Sequence, residues 1–106
     1  MSEGLRKTLA ELRGRLERSY GGRLKGMMLY GSHSRGEASE DSDVDVLVVL
    51  TGPVNGAEEI SRTIDDVSDL SLRNNVVLGC LFVSQEEYQQ EQSPLLLNVR
   101  REGLPI

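Results

Sequence analysis

Leu5, Leu9, Leu12 and Leu16 step along the chain by four, three and four residues. That spacing puts one apolar stripe on a helix and predicts an amphipathic first helix ending before Gly21-Gly22. Two compact apolar runs follow, Leu24–Tyr30 and Val44–Leu50, each of strand length and separated by a polar segment. Thr51–Gly56 is a loop by composition. Ile60, Ile64, Val67 and Leu70 form a second helical stripe, and Val76–Val83 a third strand. Ser84-Gln85-Glu86-Glu87 has the form of a capping box that opens a short helix. Ser93-Pro94 opens another, with proline at its first position, and Gly103 and Pro105 end it. Helices interleaved with three strands predict an α+β fold, a small sheet covered mainly on one face.

At 106 residues the chain is expected to be one domain spanning 1–106. Twelve basic against seventeen acidic residues leave a formal charge of −5, which argues against an extensive nucleic-acid surface. The basic residues gather early (Arg6, Lys7, Arg13, Arg15, Arg18, Arg23, Lys25) and read as the solvated face of the first helix, or else as a site for an acidic partner. Cys80 is the one cysteine, so an internal disulfide is excluded, and its place among apolar residues suits a small buried hydrophobe. There is no signal-peptide pattern, and no apolar run long enough to cross a bilayer, so a cytoplasmic location is expected. Tyr20, Tyr30, Phe82 and Tyr88 are the aromatics, expected to pack in the core or at its edge.

The chemistry concentrates in residues 31–45, Gly-Ser-His-Ser-Arg-Gly-Glu-Ala-Ser-Glu-Asp-Ser-Asp-Val-Asp. On a strand, side chains alternate faces, so Asp43 and Asp45 point the same way with Cα atoms ~6.5–7 Å apart. Two carboxylates so placed can hold Mg²⁺, which favours a few carboxylates plus the oxygens of substrate phosphates. Two acids heading a Val- and Leu-rich strand repel each other unless a cation compensates, and such a broken local rule is where function is expected. Gly31 has no Cβ, so its backbone can come close to an anion. Ser32 is expected to cap a short following helix and to offer its hydroxyl to a phosphate oxygen. Arg35 can pair with a triphosphate or remain a solvated loop arginine. His33, the one histidine, either contacts phosphate or is a plain loop residue. Asp65, Asp66 and Asp69 read as solvent-facing.

Gly31-Ser32, ten residues, then Asp43-Val44-Asp45 and an apolar strand resembles the nucleotidyltransferase superfamily related to DNA polymerase beta. The segment LYGSHSRGEASEDSDVDVLVVL is most similar to the stand-alone minimal nucleotidyltransferases of prokaryotes. The resemblance implies a nucleotidyltransferase fold with a small mixed sheet, Mg²⁺ held by Asp43 and Asp45, and Gly31 and Ser32 on the β- and γ-phosphates of ATP or another NTP. It implies transfer of a nucleoside monophosphate with release of pyrophosphate. It further implies a helical HEPN-type protein partner in a toxin–antitoxin pair, modified with AMP. The superfamily also carries a third carboxylate on a later strand, and Asn75 stands at the position expected for it. An amide offers a carbonyl oxygen to a metal but cannot act as a base, and loss of a general base costs ~10²–10⁴-fold in rate. No Asp or Glu lies between Arg73 and Ser84.

Other readings of the acids stay open. Asp41, Asp43 and Asp45 also spell the opening of a calcium loop, but its sixth and twelfth positions would be Val46 and Gly52 instead of Gly and Glu. The cluster could equally be a solvated acidic loop. At the level of the whole chain, the alternatives to an enzyme are a catalytically impaired antitoxin or binding module with the same fold, and a structural subunit with no nucleotide affinity.

Overall fold

The computed structural model describes residues 1–39 and 42–106; Glu40 and Asp41, the latter the first acid of the calcium-loop alternative, lie outside the described residues. The elements run α1 (Glu3–Tyr20), β1 (Leu24–Tyr30), β2 (Val44–Leu50), α2 (Gly56–Asn74), β3 (Leu78–Ser84), α3 (Gln85–Gln90), α4 (Pro94–Glu102) and β4 (Leu104–Pro105). They build one mixed sheet in the order β3-β2-β1-β4, with β2 antiparallel to β1 and parallel to β3. A parallel pair needs a long crossover, which α2 supplies. Among the described residues no helix is long and apolar enough to cross a membrane.

β2 is the spine. Val44, Val46, Val48 and Leu50 face the core shared with α1 and α2, while Leu47 and Val49 face Leu96 and Val99 of α4. Cover on both sides explains why β2 is an unbroken apolar run once its acids are passed. The two long helices share one face, as expected, and α3 and α4 cover part of the other. The first-helix stripe is buried at Leu9, Leu12 and Leu16. The capping box at Ser84 and Glu87 forms, and Ser93 caps α4 with Pro94 in its first turn.

Four expectations need correction. α2 starts at Gly56, not after it, because the Asn55 side chain caps it by accepting from the Glu58 N–H at 3.2 Å. Its buried stripe follows its aliphatic residues only in the second half: Leu70 is buried and Val67 packs on the core, but Ile60 and Ile64 are 48% and 46% exposed while Glu59 and Thr63 are buried. Polar partners explain the offset. The Tyr20 hydroxyl donates to the Glu59 carboxylate at 2.8 Å, and Arg15 of α1 holds Asp66 and Asp69 at 3.1 and 2.6 Å. Asp66 and Asp69 keep 35% and 46% of their side chains exposed and, through Arg15, also clamp the two long helices together.

The third strand begins at Leu78, two residues later than expected. Asn75 caps α2 in the left-handed region (φ 52°), and the Val76 N–H still turns back to the Ser71 carbonyl at 3.1 Å. Finally, there are four strands and not three. After Gly103, where a side chain would strike the Val99 carbonyl, Leu104 and Pro105 pair with Leu29 and Met28. The Ile106 N–H donates to Met27 O at 3.0 Å, and the Arg13 guanidinium donates to the Ile106 carbonyl.

Glu59 is 3% exposed, so its stability depends on its partners. Tyr20→Phe leaves the carboxylate with the Arg62 contact at 3.2 Å but without the hydroxyl. The expected loss is about 1–3 kcal/mol, read as a lowered urea midpoint with an unchanged slope; an unchanged midpoint would show that Glu59 does not need Tyr20.

Candidate active site

The antiparallel register sets Tyr30 opposite Asp45, so the turn that leaves β1 folds against the head of β2. Gly31 opens that turn with φ +78°, a conformation side chains disfavour. A Cβ built there would lie 2.5 Å from Asp45 Oδ2. On the other side the parallel register sets Gly79 of β3 beside Asp45, where a built Cβ would lie 3.6 Å from Oδ1. The Asp45 carboxylate thus occupies a slot between two glycines, one in the turn after β1 and one on β3. Asp43, exposed just ahead of the strand, shares its face by alternation.

This environment raises the proton affinity of Asp45: burial is the largest cause, the Asp43 charge adds to it, and His33 opposes it. Tyr30 is pushed up as well, first by burial and then by Asp45. A carboxylate pair with its charge under-compensated, at an open sheet end, has the donor chemistry that a hard cation with phosphate co-ligands requires. Among the described residues no group of three or more His, Cys, Asp and Glu side chains stands in metal-holding geometry.

The structure brings Gly31, Asp43 and Asp45 together and treats the remaining candidates differently. Ser32 lies inside a single 3₁₀ turn, Gly31–His33, and does not cap it; the Ser34 hydroxyl instead donates to the Gly31 carbonyl at 2.9 Å. Arg35 is exposed and engaged by Glu37 at 3.2 Å and by Glu102 of α4 at 3.6 Å, which hold its guanidinium firmly charged. His33 Nε2 lies 3.3 Å from the Ser42 carbonyl and ties the turn to the approach of β2. Asn75 does not lead the third strand: it is the helix cap described above, and the β3 positions that share Asp45's face are Gly79 and Leu81.

Sequence reasoning missed Tyr30, Gly79 and the contribution of α4. A cavity of about 190 Å³ beside the slot is walled by Tyr30, Gly31 and Arg35 and, from α4, by Leu95, Asn98 and Glu102. The α4 residues recur at helical spacing, but only the fold says which way that face points. A larger cavity of about 500 Å³ lies across the turn, between the start of α1, His33, Ser42 and Asn74; Val44, not Asp45, faces it.

Comparison with known proteins identifies the family and the fold. The nucleotidyltransferase domain family model matches residues 9–100. A protein of Methanocaldococcus jannaschii named "putative protein adenylyltransferase" is 32% identical over 85 residues, 80% of this chain and 79% of that protein. A solved structure described as a "putative minimal nucleotidyltransferase" superposes with a TM-score of 0.61 at 28% identity, covering 98% of this chain and 94% of that one. At 14% identity, where the likeness shows the fold alone, a complex of tri-AMPylated Shewanella oneidensis HEPN toxin with MNT antitoxin gives 0.59, covering 94% of this chain and 69% of that one.

Two outcomes follow from the slot. Gly31→Ala forces a left-handed alanine, at about 1–2 kcal/mol, and displaces Asp45; urea unfolding should register the loss, and wild-type stability would show that the turn can relax. Asp45 binds its proton more tightly folded than unfolded, so stability falls as pH rises from the ordinary aspartate value of 3.8 through the raised one. Metal-free Asp45→Asn should therefore melt higher than wild type at neutral pH and lose that advantage below pH 3.8; thermal scans across pH test the sign.

Proposed function

The chain belongs to the nucleotidyltransferase domain family, and we propose that residues 1–106 form one domain of a cytoplasmic enzyme that transfers a nucleoside monophosphate from ATP or another NTP to a hydroxyl of a partner protein. The observation that carries this reading is the Asp43–Asp45 pair against the glycine turn, with Asp45 2.5 Å from where a Gly31 Cβ would stand. Support for the adenylyl group and the protein acceptor comes from the M. jannaschii relative's name. Support for a toxin–antitoxin setting, with a helical HEPN-type partner as acceptor and this chain as antitoxin, comes from the AMPylated Shewanella complex.

In this mechanism Asp43 and Asp45 hold Mg²⁺, which when bound neutralises phosphate charge and favours attack at the α-phosphorus. Gly31 lets the backbone of the turn approach the β- and γ-phosphates, and the Ser32 hydroxyl donates to them. Arg35 leaves Glu37 and Glu102 for the triphosphate. Asp45's raised proton affinity, from burial and the Asp43 charge, is the electrostatic cost that a bound cation would relieve. Asn75 is left as a helix cap. The acceptor hydroxyl attacks in line, its proton passes to solvent or phosphate, and pyrophosphate leaves; rate comes from positioning and charge neutralisation.

One observation favours a second reading, a nucleotide-binding antitoxin that acts by contact: β3 offers Gly79 and Leu81 to the carboxylate face where an acid would serve as base. Incubation of the protein and its partner with Mg²⁺ and ATP labelled at the α-phosphate tests both. The enzyme reading expects label on the partner, lost by ~10²-fold or more in Asp43→Ala. Absence of label with the partner still bound supports the second reading. Appearance of label only in Gly79→Asp would locate the deficit at that position.

A further inference from the structure

The sheet ends on β3, whose outer side carries no strand partner among the described residues. Its seven residues, Leu-Gly-Cys-Leu-Phe-Val-Ser, include neither a charge nor a proline. Its pairing with β2 runs unbroken from Leu78 to Ser84, without the irregularity that β1 shows at Leu24/Gly26. Proteins ordinarily protect such edges with lysines, prolines, bulges or a covering loop. The opposite edge is the two-residue β4, which contains Pro105.

α2 continues this surface. The Ser71 hydroxyl accepts from the Leu78 N–H at 3.3 Å, so the Ser71 side of the helix faces β3, while Arg15's grip on Asp66 and Asp69 marks the side facing α1. Ile60 and Ile64 stand three and two turns before Ser71 on the same line, 48% and 46% exposed. Ala57, Ser61 and Ser68, all exposed, fill the rest of that half. The exposed charges of α2 (Glu58, Arg62, Asp65, Arg73) belong to the other half by the helical period. Half of a surface helix is thus free of charge, and it borders an unprotected strand.

We propose that this edge is a homodimer interface: β3 pairs antiparallel with β3 of a second copy, and the two α2 helices meet through Ile60 and Ile64, making one eight-stranded sheet. A second copy fits because a two-fold axis normal to the sheet sets both α2 helices on the same face. Each apolar shoulder then meets its own likeness, and the small residues permit close approach. For a chain with a formal charge of −5, association with itself needs a surface without charge, and this one has none. The carboxylate face stays open in the dimer.

Light scattering on the full chain over a dilution series should give twice the chain mass at high concentration. The double variant Ile60→Glu/Ile64→Glu should raise the dissociation constant on the order of a hundredfold, leaving a monomer with an unchanged circular-dichroism spectrum. Ser68→Arg, at an exposed position, serves as a second disruptive variant if the first is misfolded. Hydrogen exchange should show the outward amides of 78–84 protected in the wild type and fast in the monomeric variants. A wild type that is monomeric throughout would overturn the proposal, as would a dimer that survives both variants. So would β3 protection that appears only when a different protein is added.

Discussion

The Asp45 carboxylate is packed between the turn after β1 and strand β3, and it is Gly31 that lets the turn come so close to it. Gly31 takes a positive φ and leaves no Cβ to strike Oδ2; Gly79 leaves the Oδ1 side free. Register creates this constraint. Tyr30 opposite Asp45 fixes where β1 must turn, and the parallel ladder sets Gly79 of β3 beside Asp45. A slip of one residue in either ladder would put Val44 or Val46 in the slot and send the acid into the core. The position of the acid is therefore tied to the burial of the whole strand: the same alternation that aims Asp45 outward drives Val44, Val46 and Val48 under α1 and α2.

That arrangement is locally unfavourable, and the compensating interactions lie elsewhere. The acid end of β2 has a half-buried charge beside a second carboxylate. The opposite end of the sheet is closed by Tyr20 on Glu59, with Tyr20 against Phe82 at 6.3 Å between ring centroids. Between the long helices, Arg15 bridges Asp66 and Asp69. A single half-exposed ion pair would contribute little. Here one guanidinium with only 18% of its side chain exposed takes two acids and fixes the rotation of α2 about its axis, which in turn decides what α2 buries. Stability and reactive geometry are separated along the sheet.

Much of this was legible in the sequence. The limits of β1 and β2 follow from their apolar runs, and the glycine turn and Asp-x-Asp pair stand out because a strand so rich in valine gains nothing structural from two acids. Helix α2 shows the limit of periodicity. Its isoleucines mark a stripe, but Glu59 and Thr63 are buried because each finds a partner: the Tyr20 hydroxyl, distant in sequence, donates to the Glu59 carboxylate, and the Thr63 hydroxyl donates to the Glu59 carbonyl one turn back. Asn75 misled for a related reason: an αL cap after a helix resembles the start of the next strand until the Ser71 carbonyl is seen to hold Val76 back. Register is a property of pairs of strands, so neither Gly79's place beside Asp45 nor Tyr30's could be read from one strand alone. The wall that α4 gives to the smaller cavity depends on the Gly103 turn, whose tightness a sequence does not display.

Gly79 also bears on the chemistry proposed for the site. An acid at that position would stand next to Oδ1 of Asp45, which already resists ionisation, and add a third negative charge beside it. Without that acid the site carries less repulsion and attracts a cation less strongly. A two-carboxylate site is too weak in charge and ligand number to satisfy Mg²⁺ by itself, so the remaining oxygens must come from the substrate's phosphates and water. On the proposed reading, metal and nucleotide therefore enter as coupled ligands, each completing the other's site. On the same reading, with no third acid beside the pair among the described residues, the acceptor's proton passes to solvent or phosphate.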